Sequence, residues 1–377
     1  MPPRLSRVWE VLNLPAPARR LRRSDRRGLT APDPGLEPAI NAILGWLARA
    51  QDRSTAGQGG FSRHFDLIRG WGPSCPAGTG LAARILLQAE ERWGDPSLRQ
   101  RAIWGLEWLC DVQRADGAFG MPDRDTPRHV LTGQALLGLV CGAGAVAGAS
   151  DAADRAARYL MSAQCSDGSW EGGRARDTQI AWALLEAEAV LPGQGFGKAA
   201  QANLRWALGQ LRRNGWLENC CTDNPVKPLT VTITEAVRGF LEAWRLGQAL
   251  RHLDAAVMTG WALHAVQRRD DGSLPGRLTE KWEPEARWSG LPGDAEAASC
   301  WMLLHHATGD EAFLTAARAA NRFVRRTLAL SGDVDQVGGV RGSFPIHGGH
   351  ERFRYLTSGA VFALESQMME LALGRSA

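Results

Sequence analysis

Tyrosine is scarce in this chain: two residues, against 15 tryptophans, in a length of 377. No run of about eighteen apolar residues occurs, so no membrane span is expected. No apolar stretch followed by small residues opens the sequence, so no signal peptide is expected. Alternating apolar and polar runs are nearly missing, which argues against a β-rich fold. Seven cysteines are scattered without CxxC spacing, and two of them, Cys220 and Cys221, are neighbours. Such a set fits reduced thiols and a cytoplasmic protein better than a disulfide framework. HExxH, P-loop and strand-linked GxGxxG patterns are all absent, so neither a metal nor another cofactor is expected.

What is present looks like an ordinary globular protein, 44% hydrophobic and 22% charged. The net charge of +4 is unevenly placed. Residues 1–30 hold eight arginines against Glu10 and Asp25, a net of +6, while the remainder carries 36 basic and 38 acidic residues. The basic charge therefore belongs to an arm over 1–33, rich in arginine and proline, with one short helix expected at Arg7–Leu12. That arm is either a solvated leader or a contact for an anionic surface. The slightly acidic body gives no reason to expect a nucleic-acid partner. It is read as a single domain over 34–377.

Six turns that combine glycine with an apolar residue punctuate the body. They are Gly59-Gly60-Phe61, Gln113 to Phe119 (QRADGAF), Gln164 to Trp170 (QCSDGSW), Asn214-Gly215-Trp216, Gln267 to Leu274 (QRRDDGSL) and Gly338 to Phe344 (GGVRGSF). They recur roughly every 45–65 residues, and such a period marks a repeat architecture in which each unit needs its neighbours to bury its apolar face. Helical spacing of apolar residues predicts helices near 36–50, 80–91, 98–113, 131–141, 151–164, 178–191, 199–211, 229–246, 251–267, 295–308, 311–330 and 355–373. Ser97, Asp254 and Asp310 stand where caps or first-turn residues belong. Twelve helices in six hairpins predict an all-α fold, an (α/α)6 toroid. Each turn leads into a loop that ends at a helix N-terminus, so these loops should gather at one mouth, which suits anions.

The motifs QRADG, QCSDGSW and QRRDDGSLPG resemble the repeats of the squalene cyclase and prenyltransferase β-subunit superfamily, whose fold is an α/α toroid. The stretches NGWLENC with PLTVT, DGSLPGRLTEKWEPEARWSGLPGDAE and GGVRGSFPIHGGH resemble more closely a group of bacterial toroid proteins associated with polysaccharide biosynthesis. The resemblance spans about residues 40–370. It implies handling of a carbohydrate. The cyclase DxDD motif is not reproduced; Asp123-Arg124-Asp125-Thr126 is a partial echo. The prenyltransferase zinc set is missing as well. In the polysaccharide-linked group a His and a Tyr typically follow the PLT motif; here Val231 and Glu235 stand near those places.

Polar loops supply the candidate site residues. Arg63, His64 and Trp71 read as a sugar platform or as a surface loop with ordinary ion pairs. His129 is a proton-transfer candidate or a structural histidine. Asp177 is an acid or base, or the cap of the next helix. Glu218 and Asn219 fall in the central loop, with Glu235 on the following helix. Trp282, Arg287 and Trp288, with Asp294, mark the longest loop. Arg341, His347 and Tyr355 belong to a cationic final loop. The leading expectation is an enzyme acting on an acidic, uronate-containing oligosaccharide or polysaccharide by proton transfer or cleavage. Arg63, Arg287 and Arg341 would hold the carboxylate, and His129, Asp177, His347 and Tyr355 would serve as acids and bases. Two alternatives remain: a terpenoid cyclase or prenyl-binding toroid built around Asp125, and a non-catalytic scaffold of polysaccharide assembly.

Overall fold

The computed structural model describes residues 14–55, 58–121, 128–221 and 223–374. The helix expected at Arg7–Leu12 and the segment containing Asp125 lie outside these residues. Thirteen α-helices occur among the described residues: α1 Ala16–Asp25, α2 Leu36–Asp52, α3 Pro76–Trp93, α4 Pro96–Val112, α5 Arg128–Cys141, α6 Ala149–Ser162 and α7 Thr178–Val190. They continue with α8 Phe196–Leu208, α9 Thr230–Gly247, α10 Leu250–Val266, α11 Leu291–Thr308, α12 Glu311–Thr327 and α13 Thr357–Leu373. All twelve expected helices are there, with ends moved by a few residues. Helix α1 was not foreseen.

The helices form two concentric rings. Helices α3, α5, α7, α9, α11 and α13 pack side by side in that order, and α13 closes against α3. The even-numbered helices α2 to α12 lie outside them. Inner helices have neighbours on every side, so α11 is buried along nearly its whole length. Outer helices bury one stripe; α12 buries Phe313, Ala316, Ala317, Ala320, Phe323 and Val324. The chain is thus an (α/α)6 toroid, as the repeats predict.

The repeat turns explain how the ring closes. Gln113 Nε2 donates to Gly117 O in its own turn and to Ala152 O on the next outer helix. Gln164 and Gln267 do the same toward Ala199 O and Ala316 O. The turn glycine has positive φ and lies flat on that neighbouring helix, where a Cβ on Gly168 would come within 2.5 Å of Ala202 O. The series runs from Gly59 against Trp104 round to Gly338 against Ala42, on the first outer helix.

A small antiparallel sheet seals the same seam. Its strands are β1 His64–Asp66, β2 Gly70–Trp71 and β3 Arg354–Leu356, in the order β2-β1-β3. β1 comes from the first loop and β3 from the last, with Phe65 opposite Tyr355. On the far side, Gly94 at positive φ ends α3, and the Asp95 carboxylate caps α4 by accepting from Ser97 N. Asp95, and not Ser97, is therefore the cap. Asp310 caps α12 in the same way.

Candidate functional site

The turns and long loops all lead to the N-termini of inner helices, so they share one mouth of the ring. There α5 begins with His129 and α7 begins just after Asp177, which ends a short 3₁₀ turn. His129 Nε2 and Asp177 Oδ2 are 4.0 Å apart, and both side chains are buried. Asp177 occupies the cap position of α7, yet its side chain makes no capping hydrogen bond. Apart from a weak approach by the Arg174 backbone N–H, neither of its carboxylate oxygens has a hydrogen-bond partner among the described residues, and His129 Nε2 has none there either. Buried polar groups are nearly always satisfied, so this pair is a candidate site for proton transfer. The His129 ring lies parallel to that of Trp170, 6.5 Å away, which fixes its plane.

Electrostatics set the two groups apart. Burial raises the Asp177 carboxyl to about 6, against the opposing pull of Arg176 and Arg174. Burial, then the same Arg174 and Arg176, lower His129 to about 4. At neutral pH the imidazole is therefore uncharged, and the carboxyl is mostly ionised with a minor protonated fraction. Arg176 Nη2 is 2.9 Å from Glu235 Oε2. Burial works against the Arg176 charge, but Glu235 and Asp177 outweigh it. Arg174 is part-exposed; its Nη1 donates to Glu171 O, and it has no carboxylate partner among the described residues.

Arg63, His64 and Trp71 do come together. They line a cavity of about 280 Å³ with Arg69, Met121 and Arg354. Burial, Arg354 and Arg63 lower His64 to about 4, and Trp71 Nε1 is buried with no hydrogen-bond partner among the described residues. Trp71 packs on Trp46 and Phe65, with ring centres 5.2 and 5.1 Å away. Arg63 is not an unpaired anchor: its Nη2 is 2.7 Å from Glu351 Oε1.

Other candidates are occupied elsewhere. Glu218 is ion-paired with Arg212, and Asn219 donates to Gln210 Oε1. Trp282 sits edge-on to Trp216 and donates to Asn214 O. Trp288 lies over Gly276 and Gly349, filling the gap between two loops. Arg287 is exposed. Asp294 is fully buried in α11 and accepts from Leu274 N and the Ser289 hydroxyl, so it belongs to the scaffold. Arg341 is 8% exposed, and its Nη1 donates to Asp25 Oδ1 at 2.8 Å; that charge is already matched. Tyr355 is 1% exposed, bonded to Gln336 Oε1 and held in β3. His347 faces Arg22, Arg26 and Asp25, beside α1.

Sequence reading missed what fills the hollow. Arg238 Nη2 and Arg84 Nη2 each lie 2.8 Å from Glu365 Oε1, and Arg238 Nε is 2.9 Å from Glu242 Oε1. Both guanidiniums stand over the Trp182 ring, at 4.9 and 5.1 Å. Glu365 is pushed down because Arg238 and Arg84 outweigh burial, whereas burial beside Glu365 and Glu235 pushes Glu296 up. Two cations thus face two anions and one neutral carboxyl. The apolar, aromatic-walled hollow that the terpenoid alternative requires is not what this ring contains. Beyond this network, the opposite mouth opens into a cavity of about 480 Å³. Among the described residues no cluster of His, Cys, Asp or Glu is arranged to hold a metal ion, and no helix is long and apolar enough to cross a membrane.

No protein-family model matches the chain, and no curated protein matches its sequence. Solved structures do match its fold. Unsaturated glucuronyl hydrolase from Bacillus sp. GL1, responsible for the degradation of glycosaminoglycan, aligns with a TM-score of 0.71 at 18% identity, over 91% of this chain and 97% of that one. Cellobiose 2-epimerase from Bacillus thermoamylovorans aligns at 0.67 and 12%, over 88% and 96%. A D-mannose isomerase aligns at 0.69 and 12%, over 90% and 97%. At such identities the likeness speaks for architecture, and a toroid of this kind hosts more than one reaction. The chain has the six-hairpin toroid fold shared by these sugar-handling enzymes.

Proposed function

We propose that this chain is a carbohydrate-active enzyme whose substrate is an acidic, uronate-containing oligosaccharide or polysaccharide, and that Asp177 transfers the proton. The observation that carries the reading is the Asp177–His129 pair: buried, 4.0 Å apart, with its facing polar atoms unbonded. A carboxyl near 6 exists in both forms at neutral pH, so it can give a proton to a leaving oxygen or take one from carbon. The carbon next to a uronate carboxylate becomes acidic once that carboxylate is paired with a cation, and Arg174 is the cation in reach. Neutral His129 orients the incoming group by a hydrogen bond. Arg63, His64 and Trp71 form a second patch on the same mouth, suited to a neighbouring sugar. The reaction is epimerisation, elimination or hydrolysis at that sugar, and the resemblance of the loops supports a role in polysaccharide biosynthesis.

The test is turnover of acidic oligosaccharides, followed by chromatography and by solvent deuterium uptake, for the wild type, Asp177→Asn and His129→Ala. The expected result is loss of turnover by 10²-fold or more in Asp177→Asn, on the order of a general acid–base contribution. Neutral oligosaccharides should be poor substrates. Unchanged turnover in Asp177→Asn removes the assignment.

A further inference from the structure

Outer helix α4 turns two tryptophans away from the ring it packs on. It buries Leu98, Ala102, Gly105, Leu106 and Leu109. Trp104, in contrast, is 45% exposed, more than any other tryptophan among the described residues, and Trp108 is half-buried. Residues three and four apart share a helix face, so Trp104, Glu107, Trp108 and Asp111 form one stripe. With the end of α2 and the start of the first loop, that stripe encloses a cavity of about 670 Å³. Indoles left open in a concave place mark a binding groove.

The floor of this cavity is fixed. Gln51, 4% exposed, donates from Nε2 to Gly59 O at 2.7 Å and to Arg101 O at 2.9 Å, and its Oε1 accepts from Arg101 Nη1 at 3.0 Å. Arg101 also grips both oxygens of Asp52, at 2.7 and 3.0 Å. These bonds tie α2, the loop and α4 together, so the groove is formed before anything enters it. Three of its lining residues are acids, Asp52, Glu107 and Asp111, and none is a cation. Arg101 matches Asp52, whereas Glu107 and Asp111 have no ion-pair partner among the described residues. Ser54 lines this cavity, and its neighbour Thr55 lines the one that holds Arg63, His64 and Trp71. The two cavities therefore meet along one stretch of chain, but they share no side chain.

We propose that the α4 cavity is a second saccharide site, which takes an amino sugar with a free ammonium group. That the ligand is a sugar rests on the reading above; the groove itself selects which sugar. Indole faces cover the C–H face of a pyranose ring and attract an ammonium group, and Glu107 and Asp111 pair with its charge. The same two carboxylates repel a uronate, so the two cavities have opposite preferences. A polysaccharide that carries both kinds of sugar would lie across them.

The test is titration calorimetry of the full chain with short oligomers of glucosamine, at mildly acid pH where their amines are charged. Oligomers of N-acetylglucosamine should bind at least about tenfold more weakly, having lost the charge that faces the two acids. Trp104→Ala should weaken the glucosamine oligomer about tenfold. Glu107→Gln combined with Asp111→Asn should weaken it about as much and remove most of its salt dependence. Asp151→Asn, at an exposed acid on α6, should change nothing, which separates this site from bulk charge. The proposal is overturned if Trp104→Ala binds as the wild type does, if the N-acetylated oligomer binds equally well, or if Asp151→Asn weakens binding as much as the acid pair. It is also overturned if spermine binds as tightly and loses as much in Trp104→Ala, since the groove then takes any amine. Binding is read without turnover, so the fate of the chemistry in Asp177→Asn leaves all these outcomes untouched.

Discussion

Replacing Asp177 by asparagine should make this protein more stable while removing its proposed chemistry. The carboxyl has an ordinary value of 3.8 and a folded value of about 6. Below the lower value both states hold the proton, and the ionisation has no effect on stability. As pH rises from there to about 6, the unfolded chain releases the proton and the folded one keeps it, so folding loses stability. Above about 6 the penalty is complete. Two units of difference correspond to about 3 kcal/mol at 1.36 kcal/mol each. Asparagine has nearly the shape of the protonated acid and no charge to bury, so it escapes that penalty. With roughly 2.1 cal/mol/K of unfolding entropy per residue, about 3 kcal/mol raises the melting temperature of a chain this long by about 4 °C. The assay is a series of thermal and urea melts of both proteins from acid to neutral pH. The gap should be near zero at the acid end, open through the window between 3.8 and 6, and stay flat beyond it. A variant less stable at neutral pH, or a gap that ignores pH, would refute the claim that an uncompensated buried charge sits here.

Four further outcomes are expected. Glu365→Ala leaves Arg84 and Arg238 buried without their shared partner, and urea melts should show a loss of about 3–5 kcal/mol. Gly168→Ala forces a Cβ onto Ala202 O at positive φ and should cost at least about 1–2 kcal/mol in the same measurement. Asp25→Ala strands Arg341 and frees Ile346 N, so limited trypsin digestion should cut the arginines of α1 far faster than in the wild type. On a uronate substrate, the alkaline limb of kcat should lie at higher pH than that of kcat/KM, and the gap should close on a substrate whose carboxylate is replaced by a neutral amide.

The ring was legible because its repeat is dictated locally. A glutamine that must reach two carbonyls, an aspartate that closes its own turn and a glycine pressed on the next helix leave a sequence signature at three of the six corners. Asp167 Oδ1 accepts from Ser169 N, and Asp271 Oδ1 from Ser273 N, as the DGS pattern implies. The placement of Asp177 and His129 at one mouth was also legible, because residues at the starts of inner helices in a closed ring have only one mouth to face. The final loop was not. Its arginines, histidines and tyrosine look alike in sequence, but Arg341 was destined for an aspartate 316 positions earlier, and no local rule shows that. The core network did leave a mark that went unread. Arg84, Arg238, Glu242 and Glu365 are charged residues inside otherwise apolar helices, a pattern that means paired burial far more often than chance.

The position of Asp177 explains why its environment can serve catalysis and not merely strain the fold. A carboxylate at a helix start normally gains from the positive end of the dipole and from free N–H groups. Here burial wins, and the group rises to about 6 although Arg176 and Arg174 both act to lower it. The two guanidiniums differ in what they can do next. Arg176 is committed to Glu235 at 2.9 Å and keeps its charge near the site whatever arrives. Arg174 has no acidic partner among the described residues, so a substrate carboxylate that settled on it would cancel the positive field that holds Asp177 down. Entry of the same substrate also expels water, which deepens the desolvation. Both changes would push the proton onto Asp177 in the bound state; loss of the positive field needs the carboxylate, whereas a neutral sugar would bring the desolvation alone. On the proposed reading the acid would be formed mainly by the substrate it serves, and a neutral sugar of the same shape would raise its proton affinity less.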